Sequence, residues 1–124
     1  MEAAMKGFAA CTITVLFMIL QLLTVPGAMA GDNEKVTLYF FFGKDCPSCK
    51  AVEPRVDALA DEYPGLVIEK YEVWYNEENR DRLIEMARKR NATAKGVPTI
   101  IIGDDVYLGS NITYIRRLVK KNTK

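Results

Sequence analysis

The uninterrupted run VTLYFFF at residues 36–42 leaves this chain little choice of architecture. A continuous β-branched and aromatic run with no charged side chain reads as a strand covered on both faces, which belongs in the middle of a sheet with helices packed against it. Gly43-Lys44-Asp45 ends the run. After Cys46 comes Pro47, suited to the first turn of a helix, and then Val52, Val56, Leu59 and Tyr63 recur at helical spacing, with Pro54 as an expected kink. Pro64-Gly65 stops that helix, and LVIEKYEVW at 66–74 reads as a second strand. A strand, a helix and a strand in this order make a parallel pair.

Downstream, Asn76 is a natural cap for a helix running to about Asn91, with Leu83, Ile84, Ala87 and Met86 on its apolar side. Gly96-Val97-Pro98 leads into a short apolar strand, Thr99 to Ile102. Gly103-Asp104-Asp105 turns that strand into another, Val106 to Leu108, and so short a connection implies a hairpin. Ser110 or Asn111 starts a last helix, with Ile112, Ile115, Leu118 and Val119 on one side. Its basic end, Lys120 and Lys121, complements a helix C-terminus. The expected order is β-α-β-α-β-β-α, an α/β domain with a four-stranded mixed sheet flanked by helices.

Composition closes several functional classes. The chain has no histidine, which removes imidazole general-base catalysis and His-containing zinc sites. Its 3 cysteines are one short of a four-thiolate metal centre and an odd number for a disulfide framework. Lys+Arg 17 against Asp+Glu 16 gives a net charge of +1, so no nucleic-acid-binding surface is indicated.

The apolar residues are unevenly placed. GFAACTITVLFMILQLLTV at 7–25 contains no charge and follows Lys6, the layout of an export signal. Pro26-Gly27 breaks it, and Ala28-Met29-Ala30 offers small residues for cleavage before Gly31. The stretch is also long enough to span a bilayer, so an uncleaved anchor is the alternative. Either way residues 1–30 form the leader, residues 31–124 the domain, and the domain is expected outside the cytoplasm. Cys11 then counts as a small apolar leader residue. Two cysteines are left for chemistry.

Those two are Cys46 and Cys49, in the motif Cys46-Pro47-Ser48-Cys49. Thiols three residues apart at a helix start lie on one side of its first turn and can close a disulfide. Cys46, at the cap, faces the unpaired amides and the positive end of the helix dipole, which favour thiolate. Lys44 and Lys50 add positive charge nearby. Cys49, one turn in, is expected to be more buried and to resolve a mixed disulfide formed on Cys46. The competing readings are an inert structural disulfide, weakened by the very small loop it would close, and capture of a metal such as copper(I) in a non-enzymatic binding or docking module.

The constellation resembles the thioredoxin superfamily. The matching features are the aromatic strand Leu38 to Phe42 leading into Cys46-Pro47-Ser48-Cys49, Lys50 after the motif, Pro54, and Gly96-Val97-Pro98-Thr99 before the third strand. The resemblance covers nearly all of residues 35–121. It implies a thiol-disulfide oxidoreductase in which Pro98 follows a cis peptide bond and packs beside the disulfide, while the Val97 backbone pairs with an extended substrate segment. Pro47 and Ser48, between the cysteines, complete the expected substrate-binding set, with no metal and no cofactor. Protein thiols and disulfides are the implied substrates, with a membrane thiol-transfer or oxidant partner, and a monomer is expected.

The chain also departs from that family. Pro-Ser replaces the Gly-Pro of many thioredoxins, and Asp45 stands where they carry tryptophan. A proline directly after the first cysteine is closer to glutaredoxins and exported disulfide oxidoreductases, but beyond Val97 and Pro98 no glutathione-binding set matches. The buried carboxylate that thioredoxins use for proton transfer falls on Phe40, which leaves water or Glu53 to take the Cys49 proton. Trp74 and Tyr75 are expected at the core or rim rather than on a substrate surface. Asp45 is expected to be solvated rather than to act on Cys46. Asn91-Ala92-Thr93 and Asn111-Ile112-Thr113 match the glycosylation sequon.

Overall fold

A computed structural model describes residues 34–124. The leader and Cys11 lie outside the described residues. Four strands form one sheet in the order β2-β1-β3-β4: β1 Val36–Phe42, β2 Leu66–Glu72, β3 Thr99–Ile102 and β4 Asp105–Leu108. β1 runs parallel to β2 with Phe42 opposite Glu72, and antiparallel to β3 with Phe41 opposite Thr99. β3 and β4 close the hairpin. Three helices complete the domain: α1 Pro47–Glu62, α2 Glu77–Arg88 and α3 Ile112–Asn122.

β1 is central and is covered on both faces, as its composition requires. Leu38 and Phe40 point into one core with Val52, Val56 and Leu59 of α1 and Ile115 and Val119 of α3. Phe41 points the other way, into a smaller core with Val73, Ile101 and Leu83 of α2. Burying each such side chain is worth roughly 1.5–3 kcal/mol, so β1 anchors both cores at once. Each helix begins at a capping side chain: the Cys46 sulfur for α1, Asn76 for α2 and Asn111 for α3. Pro54 lies inside α1, and Tyr63 caps its end before Gly65 turns the chain at φ 88°.

Two elements are shorter than the sequence pattern indicates. β2 stops at Glu72 rather than Trp74, because the Glu72 carboxylate accepts hydrogen bonds from the amides of Trp74 (3.1 Å) and Tyr75 (2.5 Å) and turns the chain off the sheet. α2 ends at Arg88 rather than near Asn91. There Asn91 takes a left-handed φ of 57°, and the amides of Arg90 and Ala92 both return to the Ala87 carbonyl at 2.9 Å. Ile84, assigned to the apolar side of α2, is instead 50% exposed, and Leu83 and Ala87 carry the packing. Among the described residues no helix is long and apolar enough to cross a membrane.

Candidate active site

The site forms where the C-terminal end of β1 meets the N-terminus of α1. Gly43 ends the strand, its carbonyl accepts from the Cys46 amide at 3.1 Å, and the tight turn delivers Cys46 to the cap position of the helix. Pro47 occupies the first helical turn, where its missing N–H costs nothing. The Lys50 amide bonds the Cys46 carbonyl at 3.1 Å, and the Cys49 amide bonds the Cys46 sulfur at 3.2 Å. The sulfur thus does the work that a serine or aspartate oxygen does at an ordinary helix start.

Cys46 and Cys49 are joined in a disulfide, with their Cα atoms 5.3 Å apart. Both are buried, Cys49 at 1% and Cys46 at 3% exposure, and both belong to the larger core. The expected contrast in burial between them is therefore small in this disulfide-bonded state. Pro47 and Ser48 between them are exposed, and the Ser48 hydroxyl lies 3.4 Å from the Cys46 sulfur, where it donates to a disulfide that has no proton of its own. Lys44 and Lys50 on either side are exposed.

Val97 and Pro98 lie at the same end of the sheet. Thr99 pairs with Phe41, which puts Pro98 next in register beside Phe42, just before the Cys46 turn. The Val97–Pro98 peptide is cis, Pro98 is buried, and half-buried Val97 packs against the core that holds both cysteines. The Pro98 carbonyl accepts from Gly109 at 3.0 Å and the Thr99 hydroxyl donates to Gly96 at 2.7 Å, which fixes the approach to β3. Beside Val97 a shallow groove runs between Gly96 and the residues Val73, Trp74, Leu83 and Ile84.

Several neighbours of the site escaped the sequence reading. Trp74 lies on Gly43 so closely that a Cβ there would overlap its indole ring. The Tyr75 hydroxyl donates to the Asp45 carboxylate at 2.6 Å, and that bond pushes the tyrosine pKa above its ordinary value. Asp45 is exposed but is not merely solvated. One signal for these contacts was present: parallel pairing brings the C-terminal ends of β1 and β2 side by side, so residues 43–45 and 73–75 had to be neighbours. Glu53, a candidate to take the Cys49 proton, is bound to Lys70 of β2 at 3.0 Å, and the same ammonium reaches Asp57 at 3.1 Å. Asn111 caps α3 through a 3.2 Å bond from the Tyr114 amide, and Asn91 sits exposed in the turn after α2.

No protein-family model matches the sequence. Thioredoxin from Echinococcus granulosus is 31% identical over 103 residues, spanning 79% of this chain and 86% of that protein. The X-ray structure of Fasciola hepatica thioredoxin matches with a TM-score of 0.55 at 30% identity, covering 71% of this chain and 81% of the other. Oxidised mitochondrial thioredoxin 3 from Saccharomyces cerevisiae shares the fold with a TM-score of 0.54, at 24% identity over 72% of this chain and 81% of its own. By that relationship, and by a Cys-x-x-Cys disulfide at the strand-helix junction, the chain belongs to the thioredoxin family of thiol-disulfide oxidoreductases.

Proposed function

We propose that the protein exchanges disulfides with protein substrates, with Cys46 as the attacking thiol and Cys49 as the resolving one. In the reduced enzyme the Cys46 thiolate attacks one sulfur of a substrate disulfide. A Cys46–substrate bond forms, the substrate S–S bond breaks, and the departing sulfur takes up a proton. Cys49 then loses its proton and attacks the Cys46 sulfur, expelling the second substrate sulfur as a thiolate. The substrate gains two electrons and the enzyme is left with the Cys46–Cys49 disulfide. The same steps in reverse oxidise a dithiol.

The observation that carries this assignment is the cap position of Cys46. Its sulfur already accepts the Cys49 amide at 3.2 Å, and the positive end of the α1 dipole stabilises negative charge there. Cys49, one turn further in, lacks that placement. Val97 and buried Pro98 at the adjoining sheet end suit an extended substrate segment, and exposed Pro47 and Ser48 between the cysteines are open to the same segment. Reduction or general exchange is the favoured direction, with a membrane thiol-transfer protein or oxidant as the redox partner. No cofactor is needed for any of these steps.

The proposed place of action is outside the cytoplasm, with residues 1–30 as signal or anchor. The uncharged run at 7–25 and the small residues at 28–30 support it. Alkylation mass spectrometry on the reduced protein, paired with turnover of a disulfide-containing test protein in dithiothreitol, tests the chemistry. Preferential labelling of Cys46 and catalysed reduction are expected, and a pair that does not cycle would refute it. N-terminal sequencing of protein recovered from membranes and from the exported fraction tests the leader.

A further inference from the structure

The segment Glu72–Tyr75 is held at nearly every backbone polar group. The Val73 amide bonds the Phe42 carbonyl at 2.8 Å, and Glu72 binds the amides of Trp74 and Tyr75. From α2, the Asn79 side chain donates to the Glu72 carbonyl at 3.0 Å, and the Arg80 guanidinium donates to the carbonyls of Val73 at 3.1 Å and Trp74 at 2.9 Å. Such a strap is not needed to bury its outermost residue, because Tyr75 is 70% exposed. What the strap fixes is where the Tyr75 hydroxyl sits. That place is 2.6 Å from Asp45, directly before Cys46.

A carboxylate next to an attacking thiol opposes its ionisation. We infer that Tyr75 is a positioning residue, whose hydrogen bond turns the Asp45 carboxylate toward the strap, disperses its charge, and so limits its effect on the ionisation and redox poise of Cys46. The inference rests on Cys46 being the attacking thiol. The other charged and titratable groups around the turn are Lys44 and Lys50 on its own segment and Glu72 and Arg80 on the elements packed beside it. Among the described residues none of these hydrogen-bonds to Asp45, so Tyr75 is the group to test.

The experiment follows the pH dependence of iodoacetamide alkylation of the reduced full chain, with mass spectrometry reporting which cysteine reacts. Asp45→Asn should lower the Cys46 midpoint by about half to one pH unit. Tyr75→Phe should raise it and slow alkylation below the midpoint about threefold, with the reduction potential becoming more reducing. In the Asp45→Asn background Tyr75→Phe should have no effect, because its action passes through the carboxylate. Unfolding midpoints of the variants confirm that folding is retained at these two exposed positions. Equal shifts from Tyr75→Phe in both backgrounds, or an unmoved midpoint in Asp45→Asn, with Cys46 still labelled first, would overturn this inference alone. First labelling at Cys49 would overturn it together with the assignment of Cys46.

Discussion

The amide of Cys49 donates to the sulfur of Cys46 at 3.2 Å, so the residue that closes the disulfide is also the one its partner caps. If the amide keeps that place when the bridge opens, a Cys46 thiolate would accept a stronger bond, because charge-assisted hydrogen bonds are roughly twice as strong as neutral ones. On the proposed mechanism, helix start and thiolate stabilisation would be one structural device.

The two cysteines should therefore fail differently. Cys46→Ser keeps an oxygen for the cap and should fold with stability near that of the reduced parent, yet lose all exchange activity. Cys49→Ser should still attack a substrate disulfide and then stall, accumulating a mixed disulfide on Cys46 visible by non-reducing electrophoresis and mass spectrometry. Accumulation on Cys49 in the Cys46→Ser protein would reverse the roles.

Gly43 is buried beneath the Trp74 indole, where even a methyl group overlaps the ring. Gly43→Ala should cost about 1–3 kcal/mol in thermal or urea unfolding, through displacement of the tryptophan. Part of that loss should disappear in the Trp74→Ala background, because the clashing partner is gone. A fully additive double variant would mean the cost lies elsewhere in the turn.

The fold could be read from the sequence wherever local composition and tertiary demand coincide. VTLYFFF reads as a covered strand and Cys46-Pro47 as a helix start, and β1 and α1 form there. Element ends were less readable. The end of β2 depends on Glu72 reaching two amides after the strand, and the end of α2 on Asn91 adopting a left-handed turn, neither of which hydrophobic spacing encodes. Ile84 follows the helical period but overhangs the groove, since the short α2 packs through Leu83 and Ala87, with Met86 partly buried beside them. At the site, the cysteines and Pro98 were visible as a motif. The contacts of Tyr75 and Gly43 were not, because parallel pairing brings the ends of β1 and β2 together without saying which side chains of the following turns meet.

Asp105 links the β3–β4 hairpin to the end of α3. Its carboxylate accepts from the Asn122 amide at 3.1 Å and pairs with Lys121 at 3.0 Å, and these contacts, the Asn122 bond first, hold its pKa below the ordinary value. A depressed carboxylate adds stability above its unfolded-state pKa of about 3.9 and loses it as pH falls through the lower folded value. Asp105→Asn should flatten the acid limb of a stability-pH curve by on the order of 1 kcal/mol or less, with little change in the slope near neutrality. An unchanged acid limb would show that the bonds are lost in solution.

Glu53 follows Cys49 by one helical turn, but its carboxylate is committed to Lys70, whose ammonium is shared with Asp57. Bonds to Glu53 first, and then to Asp57, raise the Lys70 pKa. A raised lysine adds stability that is complete below its unfolded value of about 10.4 and fades as pH climbs through the folded value. These side chains are about one-third exposed or more, so water and salt weaken the bridge and Glu53→Gln should cost only about 0.2–1 kcal/mol near neutrality. Because Lys70 holds the Glu53 carboxylate, the proposed mechanism needs water rather than Glu53 as the acceptor of the Cys49 proton. Glu53→Gln should consequently leave the rate of product release from the mixed disulfide within about twofold of the parent in stopped-flow measurements. A loss of tenfold or more, equal to about 1.4 kcal/mol in the barrier, would instead make Glu53 the proton acceptor.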